Sequence, residues 1–332
     1  MTQRKTDHIT LAALSVPSTS NPDERFYYEP LLSAHPDGKE EINFLGKIMH
    51  HPMWISSMTG GSKEAGKINH LLAEACAEFG LGIGLGSCRI LLKDDLFFND
   101  FNLRPILGDD RPFYANLGVA QIEELIRNHE TEKVHELVIH KLKADGLIIH
   151  VNPTQEWLQS EGDLFKKPPI ETIAEFLDEL KGQYPILVKE VGQGMGPESI
   201  EKLLRLDIFG LEFGAFGGTN FASIEIMRNK QPHSEFMYPL ATFGHNAAEM
   251  LEIVNEIIFD HPVQCKNLII SGGIKNFLDG FYYTKKSILP SVYGMANVLL
   301  QHAMISRENL FDFIKAEIDG FRYASQFLKI KK

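Results

Sequence analysis

The chain has 332 residues, of which 44% are hydrophobic and 23% are charged. These values are ordinary for a globular protein and exclude disordered, collagen-like and coiled-coil classes, while the length allows one large α/β domain or two smaller ones. Lys and Arg total 33 and Asp and Glu total 44, so the formal net charge is −11, which argues against a surface that binds nucleic acid or anionic lipid as a whole.

The cysteines and the first residues predict the compartment. The three cysteines, Cys76, Cys88 and Cys265, form no Cys-x-x-Cys pair, which favours a cytoplasmic protein without disulfides or a thiolate zinc site. No apolar segment follows the basic residues of the N-terminus, so no signal peptide is predicted. No apolar run approaches the ~20 residues that a membrane helix needs.

Residues 1–45 are polar and predict an irregular N-terminal arm. From residue 46 onward, short apolar runs alternate with amphipathic segments, and most runs are nearly continuous, as in strands buried on both faces. The eight predicted strands are Met53–Met58, Leu81–Gly86, Phe113–Leu117, Gly146–Val151, Ile186–Val191, Leu211–Phe213, Leu268–Ser271 and Val292–Met295. Leu240–Phe243 is a weaker ninth candidate.

Longer segments repeat apolar residues at helical spacing. The predicted helices are Glu64–Phe79, Thr131–Ala144, Glu171–Leu180, Ala247–Ile258, Asn276–Lys286 and Glu308–Phe327. This alternation predicts an α/β fold, a single (β/α)8 TIM barrel over residues 46–332, with an open doubly wound sheet as the alternative. We expect the arm, residues 1–45, to lie over the barrel mouth.

Glycine and polar residues follow all eight predicted strands, and the loops at the carboxyl ends of barrel strands build active sites. Ser271–Lys275 and Gly294–Asn297 follow strands seven and eight, where barrels commonly bind phosphate, and Gly217–Asn220 follows strand six. A glycine turn that leads into a helix offers backbone N–H groups to an anion. Each loop taken alone is explained better by a turn and a helix cap than by a bound anion. Their joint occurrence predicts a bound phosphate.

Lys189 lies within an otherwise apolar predicted strand. Adjacent strand residues point to opposite faces, so Glu190 is not its natural partner. A lysine directed into the barrel mouth needs an anionic or electron-rich ligand to offset its desolvation. A flavin ring or a phosphate would serve.

The densest polar cluster is His150, Asn152, Gln155 and Glu156, at the end of the fourth predicted strand. His150 and Asn152 share one face of that strand. The amides and the single carboxylate indicate a hydrogen-bonding pocket with one ligand for a hard cation, because one carboxylate plus ligand phosphates is a typical Mg²⁺ arrangement. A histidine alone in a strand is more often structural than catalytic.

Arg4, Lys5 and His8 form a third positive cluster. Terminal basic residues are usually solvated. Placed over a barrel mouth, the same residues would hold a diphosphate, with Arg4 supplying bidentate contacts.

Together these residues resemble the type 2, FMN-dependent isopentenyl-diphosphate delta-isomerases along nearly the whole chain. The motifs shared most specifically with that family are the His150-x-Asn152-Pro153-x-Gln155-Glu156 string and the N-terminal Arg4-Lys5-x-x-His8. The other matching segments are Phe44–Lys47, Ser56–Gly61, Gly86–Arg89, Ala115–Gly118, Val188–Gly192, Gly217–Thr219, Ser271–Ile274 and Gly294–Ala296.

The resemblance implies a cytoplasmic enzyme that interconverts isopentenyl diphosphate and dimethylallyl diphosphate, and that forms a homo-oligomer, a tetramer or larger. It implies FMN as cofactor, NADPH as its reductant and Mg²⁺ on the substrate diphosphate. The implied FMN-binding residues are Thr59, Ser87, Asn116, Lys189, Thr219, Gly272, Gly273, Lys275 and Ala296. The implied substrate-binding residues are Arg4, Lys5, His8, Arg89, His150, Asn152 and Gln155. Glu156 is the implied Mg²⁺ ligand, and Gln155 and Lys189 are the implied catalytic residues.

The double-bond shift needs a proton delivered at one carbon and removed at another. No side chain in the predicted pocket is an obvious strong acid, so reduced FMN is the expected proton donor and acceptor. Lys189 would stabilise its reduced form and Gln155 would orient or shuttle. The alternatives are an FMN-dependent dehydrogenase or oxidase of a small hydroxy acid, and a non-catalytic barrel that binds flavin or phosphate.

Four positions depart from the family pattern: Cys88 replaces a glutamine, Lys275 and Asn297 each replace an arginine, and Phe216 replaces a small residue. Lys275 keeps a charge for the FMN phosphate without the bidentate geometry of arginine. Phe216 is expected either to crowd the flavin pocket or to repack it.

Overall fold

Eight parallel strands form a closed barrel in a computed structural model, which describes residues 2–12, 14–15, 21–38, 41–58, 60–229 and 233–331. The barrel strands, in chain order and in spatial order, are β4 (Met53–Ile55), β5 (Gly82–Gly84), β6 (Phe113–Gly118), β7 (Gly146–Val151), β8 (Ile186–Glu190), β9 (Gly210–Glu212), β10 (Leu268–Ser271) and β11 (Ser291–Met295). The barrel closes where β11 pairs with β4. The predicted (β/α)8 fold is confirmed, and the open sheet is wrong.

The N-terminal part carries regular structure that the sequence prediction missed. It contains α1 (Thr2–Ala12), β1 (Phe26–Tyr28), β2 (Ile42–Phe44) and β3 (Lys47–Met49). β1 pairs antiparallel with the C-terminal strand β12 (Leu328–Ile330), and β2 and β3 form a hairpin. The expectation of an irregular arm is therefore wrong for these segments, because three-residue strands and a polar helix leave no clear periodicity.

Helices surround the barrel. They are α2 (Lys63–Phe79), α3 (Phe98–Phe101), α4 (Arg104–Leu107), α5 (Val119–Arg127), α6 (Glu132–His135), α7 (Pro153–Leu158), α8 (Pro169–Leu180), α9 (Pro197–Leu204), α10 (Phe221–Arg228), α11 (Ala247–Asp260), α12 (Phe277–Lys286), α13 (Asn297–Ile305) and α14 (Arg307–Phe327). 3₁₀ helices cover Arg89–Leu92 and Ser234–Ala241, and a π-helix covers Glu136–Lys141. No helix within the described ranges is long and apolar enough to cross a membrane.

One predicted helix and one predicted strand need correction. The helix predicted over Thr131–Ala144 is divided into α6 and the π-helix. The ninth strand candidate, Leu240–Phe243, is wrong. Its first two residues end the 3₁₀ helix Ser234–Ala241, which contains Pro239, and proline lacks the N–H that a sheet interior requires.

The barrel interior has an apolar lower layer. It contains Trp54, Tyr114, Ile148, Leu187, Ile269 and Val292, one from each of six strands, which pack as one cluster. Phe44, Leu45 and Met49 of the β2–β3 hairpin join this cluster and close the end of the barrel at which the strands begin. Side chains two positions further along each strand point into the same interior. Those positions belong to the opposite end, at the carboxyl ends of the strands.

Candidate active site

Six polar side chains form the upper interior layer of the barrel, five of them two residues beyond an apolar-layer side chain of the same segment and Glu212 two residues beyond Gly210. They are Ser56, Asn116, His150, Lys189, Glu212 and Ser271. Five of them are at most 7% exposed, and His150 is half-buried. Because buried polar groups cost free energy unless they are paired, a layer of six polar side chains marks a functional surface more readily than a structural one.

Two cavities open above this layer. The larger has a volume of ≈ 600 Å³ and lies over the ends of β8 to β11, and the smaller, of ≈ 250 Å³, lies over β5 to β8. The two cavities share five lining residues, Ser57, Met58, Lys189, Val191 and Phe221. A ligand in one would therefore touch a ligand in the other, and Lys189 stands at the junction.

Glycine loops line the larger cavity. Gly272 and Gly273 have φ angles of 96° and 74°, in the region that favours glycine. A Cβ on Gly218 would lie 3.1 Å from the Gly273 nitrogen, so the loops after β9 and β10 approach as closely as backbone allows. At the same edge Ala296 precedes α13 and makes no side-chain cap, so the first N–H groups of the helix are left for another acceptor. This arrangement fits a phosphate.

Most of the predicted FMN-binding residues line the two cavities. Lys189, Thr219, Gly272, Gly273, Lys275 and Ala296 line the larger cavity, and Ser87 and Asn116 line the smaller one. The remaining one, Thr59, lies outside the described residues. Their role in cofactor binding stays a prediction.

Asn116 and His150 are hydrogen-bonded neighbours on β6 and β7. The amide of Asn116 donates to the Leu85 carbonyl at 2.9 Å and to the Ser57 hydroxyl at 3.0 Å, so its oxygen faces Nδ1 of His150 at 2.7 Å. Burial, followed by the positive charges of Lys189 and Arg89, lowers the pKa of His150 to about 3. His150 is therefore neutral, which fits hydrogen bonding better than general acid chemistry at neutral pH.

Asn152, Gln155 and Glu156 form one network at the start of α7. The Asn152 amide donates to Gln155 Oε1 at 3.0 Å and to Glu156 Oε1 at 2.8 Å, and the Asp163 N–H donates to Glu156 Oε2 at 2.7 Å. Both carboxylate oxygens of Glu156 are thus held in place, and each keeps a further lone pair. Glu156 lines the smaller cavity, which fits one protein ligand to a Mg²⁺ ion. The described residues contain no cluster of three or more metal-ligating side chains, so other ligands would have to come from substrate or water.

The sequence prediction missed Glu225, a carboxylate of α10 that is 5% exposed. It accepts hydrogen bonds from Gln155 Nε2 at 3.2 Å and from Gln159 Nε2 at 2.9 Å, and Arg228 Nη1 lies 2.8 Å from its Oε2. Gln155 is therefore oriented from both sides, by Asn152 and by Glu225. No local sequence pattern pairs α7 with α10. The one signal in the sequence is that Glu225 follows the Gly217–Asn220 loop, which stands at a predicted strand end.

The surroundings of Lys189 differ in part from the prediction. Glu190 indeed faces away, because its Oε2 accepts the N–H groups of Gly192, Gln193 and Gly194 at 2.6–2.9 Å. Lys189 Nζ instead donates to the backbone carbonyl of Glu190 at 2.7 Å. A buried carboxylate that the sequence argument did not consider, Glu212, is the register neighbour of Lys189 on β9.

The predicted diphosphate-binding cations divide into two groups. Arg89 lines the smaller cavity, where its Nη1 lies 3.2 Å from Asp163 Oδ2. Arg4, Lys5 and His8 lie on α1 as exposed side chains and are absent from the linings of both cavities. Their contact with substrate, and the position of α1 over the mouth, stay predictions, whereas Phe44 and Leu45 of the same predicted arm close the opposite end of the barrel.

The structure gives the positions of all four departures from the family pattern. Phe216 does not line the larger cavity, and its ring packs against Gly244, so it leaves the predicted flavin pocket open. Lys275 and Asn297 both line that cavity. Cys88 is fully buried and its pKa is raised to about 12 by burial, so it is an unreactive thiol.

This fold and this site define a (β/α)8 barrel whose mouth is lined by glycine loops and polar side chains. Isopentenyl-diphosphate delta-isomerases from Rickettsia species are similar along nearly the whole chain. The Rickettsia felis enzyme is 30% identical over 326 residues, 96% of this chain and 90% of its own. The Rickettsia peacockii enzyme is 31% identical over 96% of this chain and 91% of its own. The chain therefore belongs to the isopentenyl-diphosphate delta-isomerase family, and the predicted resemblance is confirmed.

Other comparisons agree on the fold. A mandelate oxidase structure holding an FMN adduct matches with a TM-score of 0.55 and 12% identity, over 93% of this chain and 88% of that chain. A flavocytochrome b2 structure with bound sulfite matches with a TM-score of 0.61 and 14% identity, over 90% of this chain and 71% of that chain. No protein-family model matches the chain. At these identities the structural matches support the barrel fold alone.

Proposed function

We propose that this protein is an FMN-dependent, type 2 isopentenyl-diphosphate delta-isomerase, which interconverts isopentenyl and dimethylallyl diphosphate. The observation that carries this proposal is the pair of adjoining cavities, one lined by glycine loops and the other by an amide-rich polar network, which meet at Lys189. The family membership supplies the substrate, and the two cavities supply room for a cofactor beside it.

The larger cavity suits FMN. The glycine loops and the uncapped start of α13 would bind its phosphate, with Lys275 as a nearby cation. Lys189, which lines both cavities, would hold the flavin, and its positive charge would favour a negatively charged ligand. When bound and reduced, FMN supplies the proton donor and acceptor that the side chains of this site do not.

The smaller cavity suits the substrate. Arg89 would contact the diphosphate, the ring of His150 would do so once its Nε2 has gained a proton, and Glu156 would bind a Mg²⁺ ion that neutralises it. Met58, Val191 and Phe221 would line the hydrocarbon part, since they stand where the cavities meet. Gln155, held by Asn152 and Glu225, would orient the reacting carbons and pass a proton without ionising.

The N-terminal arm completes the proposal. Arg4, Lys5 and His8 lie on one short exposed helix, and closure of this helix over the mouth would add positive charge and exclude water. By the same resemblance we propose NADPH as the reductant of FMN, assembly into a homo-oligomer of four or more chains, and location of the protein in the cytoplasm. Three free, buried cysteines are consistent with a reducing compartment.

A reconstitution experiment tests the proposal. Purified protein is titrated with FMN, and conversion of isopentenyl diphosphate is followed with the flavin oxidised or reduced by NADPH, and with Mg²⁺ or EDTA. Conversion that requires both reduced FMN and Mg²⁺ supports the proposal. Conversion that is indifferent to FMN, or a net oxidation of a small hydroxy acid, would contradict it.

A further inference from the structure

Glu212 is a carboxylate in the polar interior layer that the proposed reaction does not use. It is 0% exposed and lies in register with Lys189 on the neighbouring strand, while Lys189 lies in register with His150 on its other side. Register neighbours of a parallel sheet point to the same face, and their strands lie about 4.8 Å apart. Both side chains therefore enter the same part of the barrel interior, where the charge of Lys189 acts on Glu212 through space without an ion pair shorter than 4.0 Å between them.

The bonding of Glu212 is incomplete. Its Oε1 accepts a hydrogen bond from the Ser271 hydroxyl at 3.2 Å, while its Oε2 and the Ser56 hydroxyl make no hydrogen bond of good geometry within the described ranges, although Ser56 lies near enough to help lower the pKa of Glu212. Burial raises the pKa of Glu212, and the positive charge of Lys189 is the largest influence that opposes this. A buried carboxylate persists only when a partner compensates its lost hydration, and Lys189 is the available cation.

Lys189 also has unused hydrogen-bonding capacity. Its ammonium carries three donors and makes one hydrogen bond, to the Glu190 carbonyl, within the part of the chain that the structure describes. It lines both cavities, whereas Glu212 lines neither and stands behind it. A charge placed behind Lys189 modulates the field that Lys189 exerts on whatever occupies the larger cavity, because buried charges are weakly screened.

We propose that Glu212 is a positioning residue that acts as the buried counter-ion of Lys189 and limits how strongly the larger cavity favours reduced over oxidised FMN. This inference rests on the proposed function, since it assumes FMN in that cavity. With both groups charged, the pair is net neutral at the wall of the larger cavity. Loss of the carboxylate charge would leave a net positive site, which binds the more electron-rich reduced flavin more tightly.

The inference is tested with variants that change the net charge of the Lys189 and Glu212 pair. The dissociation constants of oxidised FMN and of dithionite-reduced FMN are measured for the wild type and for Glu212→Gln, Lys189→Met and the double variant. We expect the ratio of oxidised to reduced dissociation constants to rise at least tenfold in Glu212→Gln. That change equals a midpoint shift of about +30 mV for a two-electron couple. The ratio should fall in Lys189→Met and return close to the wild-type value in the double variant, where the pair is again neutral.

Glu317→Gln is the matched control. Glu317 is also a buried glutamate, 4% exposed, but it belongs to α14 on the outside of the barrel. It should leave the ratio unchanged. If Glu212→Gln fails to fold, the inference is tested by Lys189→Met against the double variant, in which the neutral pair should restore the ratio.

The outcomes separate the inference from the proposed function. A wild type that binds neither form of FMN contradicts the proposed function, and the inference with it. A wild type that binds FMN while Glu212→Gln leaves the ratio unchanged overturns the inference alone, because Glu212 would then carry no charge that the flavin senses.

Discussion

Nδ1 of His150 donates to Oδ1 of Asn116 at 2.7 Å, and the tautomer of His150 follows from this one contact. Asn116 cannot be turned the other way, because its amide nitrogen donates to the Leu85 carbonyl, which only accepts. The neutral ring therefore carries its proton on Nδ1. Nε2 is left as an acceptor, so it would have to gain a proton before it could donate to a diphosphate.

The low pKa of His150 predicts a pH dependence of stability. In the folded protein this pKa is lowered to about 3, below the ordinary value near 6.5, so between these two values the unfolded chain binds more protons. The free energy of unfolding should therefore decrease as pH falls below 6.5. His150→Gln should remove this contribution, making the loss of stability between pH 7.5 and 5.5 about 1 kcal/mol smaller than in the wild type. Urea unfolding at the two pH values measures it, and parallel curves for the two proteins would refute the assignment.

Gly218→Ala should weaken FMN binding without unfolding the barrel. The added Cβ would lie 3.1 Å from the Gly273 nitrogen and 3.2 Å from the Gly272 Cα, which forces apart the two loops of the cradle. We expect the FMN dissociation constant to rise at least tenfold, measured by fluorescence titration. Gly182→Ala is the control: its Cβ would meet open space, and its φ of 75° should cost about 1 kcal/mol of stability while FMN affinity stays unchanged. Equal FMN affinity in Gly218→Ala and wild type would count against the cradle.

Removing the acceptor that orients Gln155 should slow the reaction. In Glu225→Gln the isosteric amide no longer offers two negative oxygens to Gln155, Gln159 and Arg228. We expect kcat of Glu225→Gln to fall by about tenfold or more, with FMN affinity retained. Glu235→Gln, on the exposed 3₁₀ helix, is the matched control and should match wild type.

The assigned roles of Gln155 and Lys189 are tested by removing their side chains. Gln155→Ala and Lys189→Ala should each lower turnover strongly. Steady-state rates near wild type for both variants would contradict the assigned roles.

Glu156→Gln tests the metal. The substitution removes the carboxylate charge and places an amide beside donors that now face Glu156, the Asn152 amide and the Asp163 N–H. The Mg²⁺ concentration for half-maximal activity should rise at least tenfold, together with KM for the diphosphate. Glu161→Gln, an exposed neighbour, should leave both values unchanged. An unaltered Mg²⁺ dependence in Glu156→Gln would exclude Glu156 as the ligand.

The barrel could be predicted from the sequence because strands buried on both faces give continuous apolar runs. Ile186–Glu190 and Leu268–Ser271 match their predictions to within one residue. The short helix α10 was missed because eight residues between two loops give little periodicity. Helix α1 was missed because its polar residues do not face a core.

The polar cluster of the site was predictable for a different reason: His150, Asn152, Gln155 and Glu156 are close in sequence and share one strand end. Glu212 and Glu225 were not, since their roles depend on register between strands and on packing between α7 and α10. Such contacts join residues far apart in the chain, and no local pattern encodes them. Lys189 illustrates both cases. Its position inside the barrel was predicted from its own strand, whereas Glu212, its neighbour on β9, was not predicted.

The most direct test of the central claim is isomerisation in D2O. The protein, with reduced FMN and Mg²⁺, is incubated with isopentenyl diphosphate, and product, deuterium content and flavin redox state are measured together. The account predicts dimethylallyl diphosphate with deuterium incorporated and no net oxidation of the flavin. Product formation that consumes reduced flavin in proportion, or no exchange and no product at all, would contradict it.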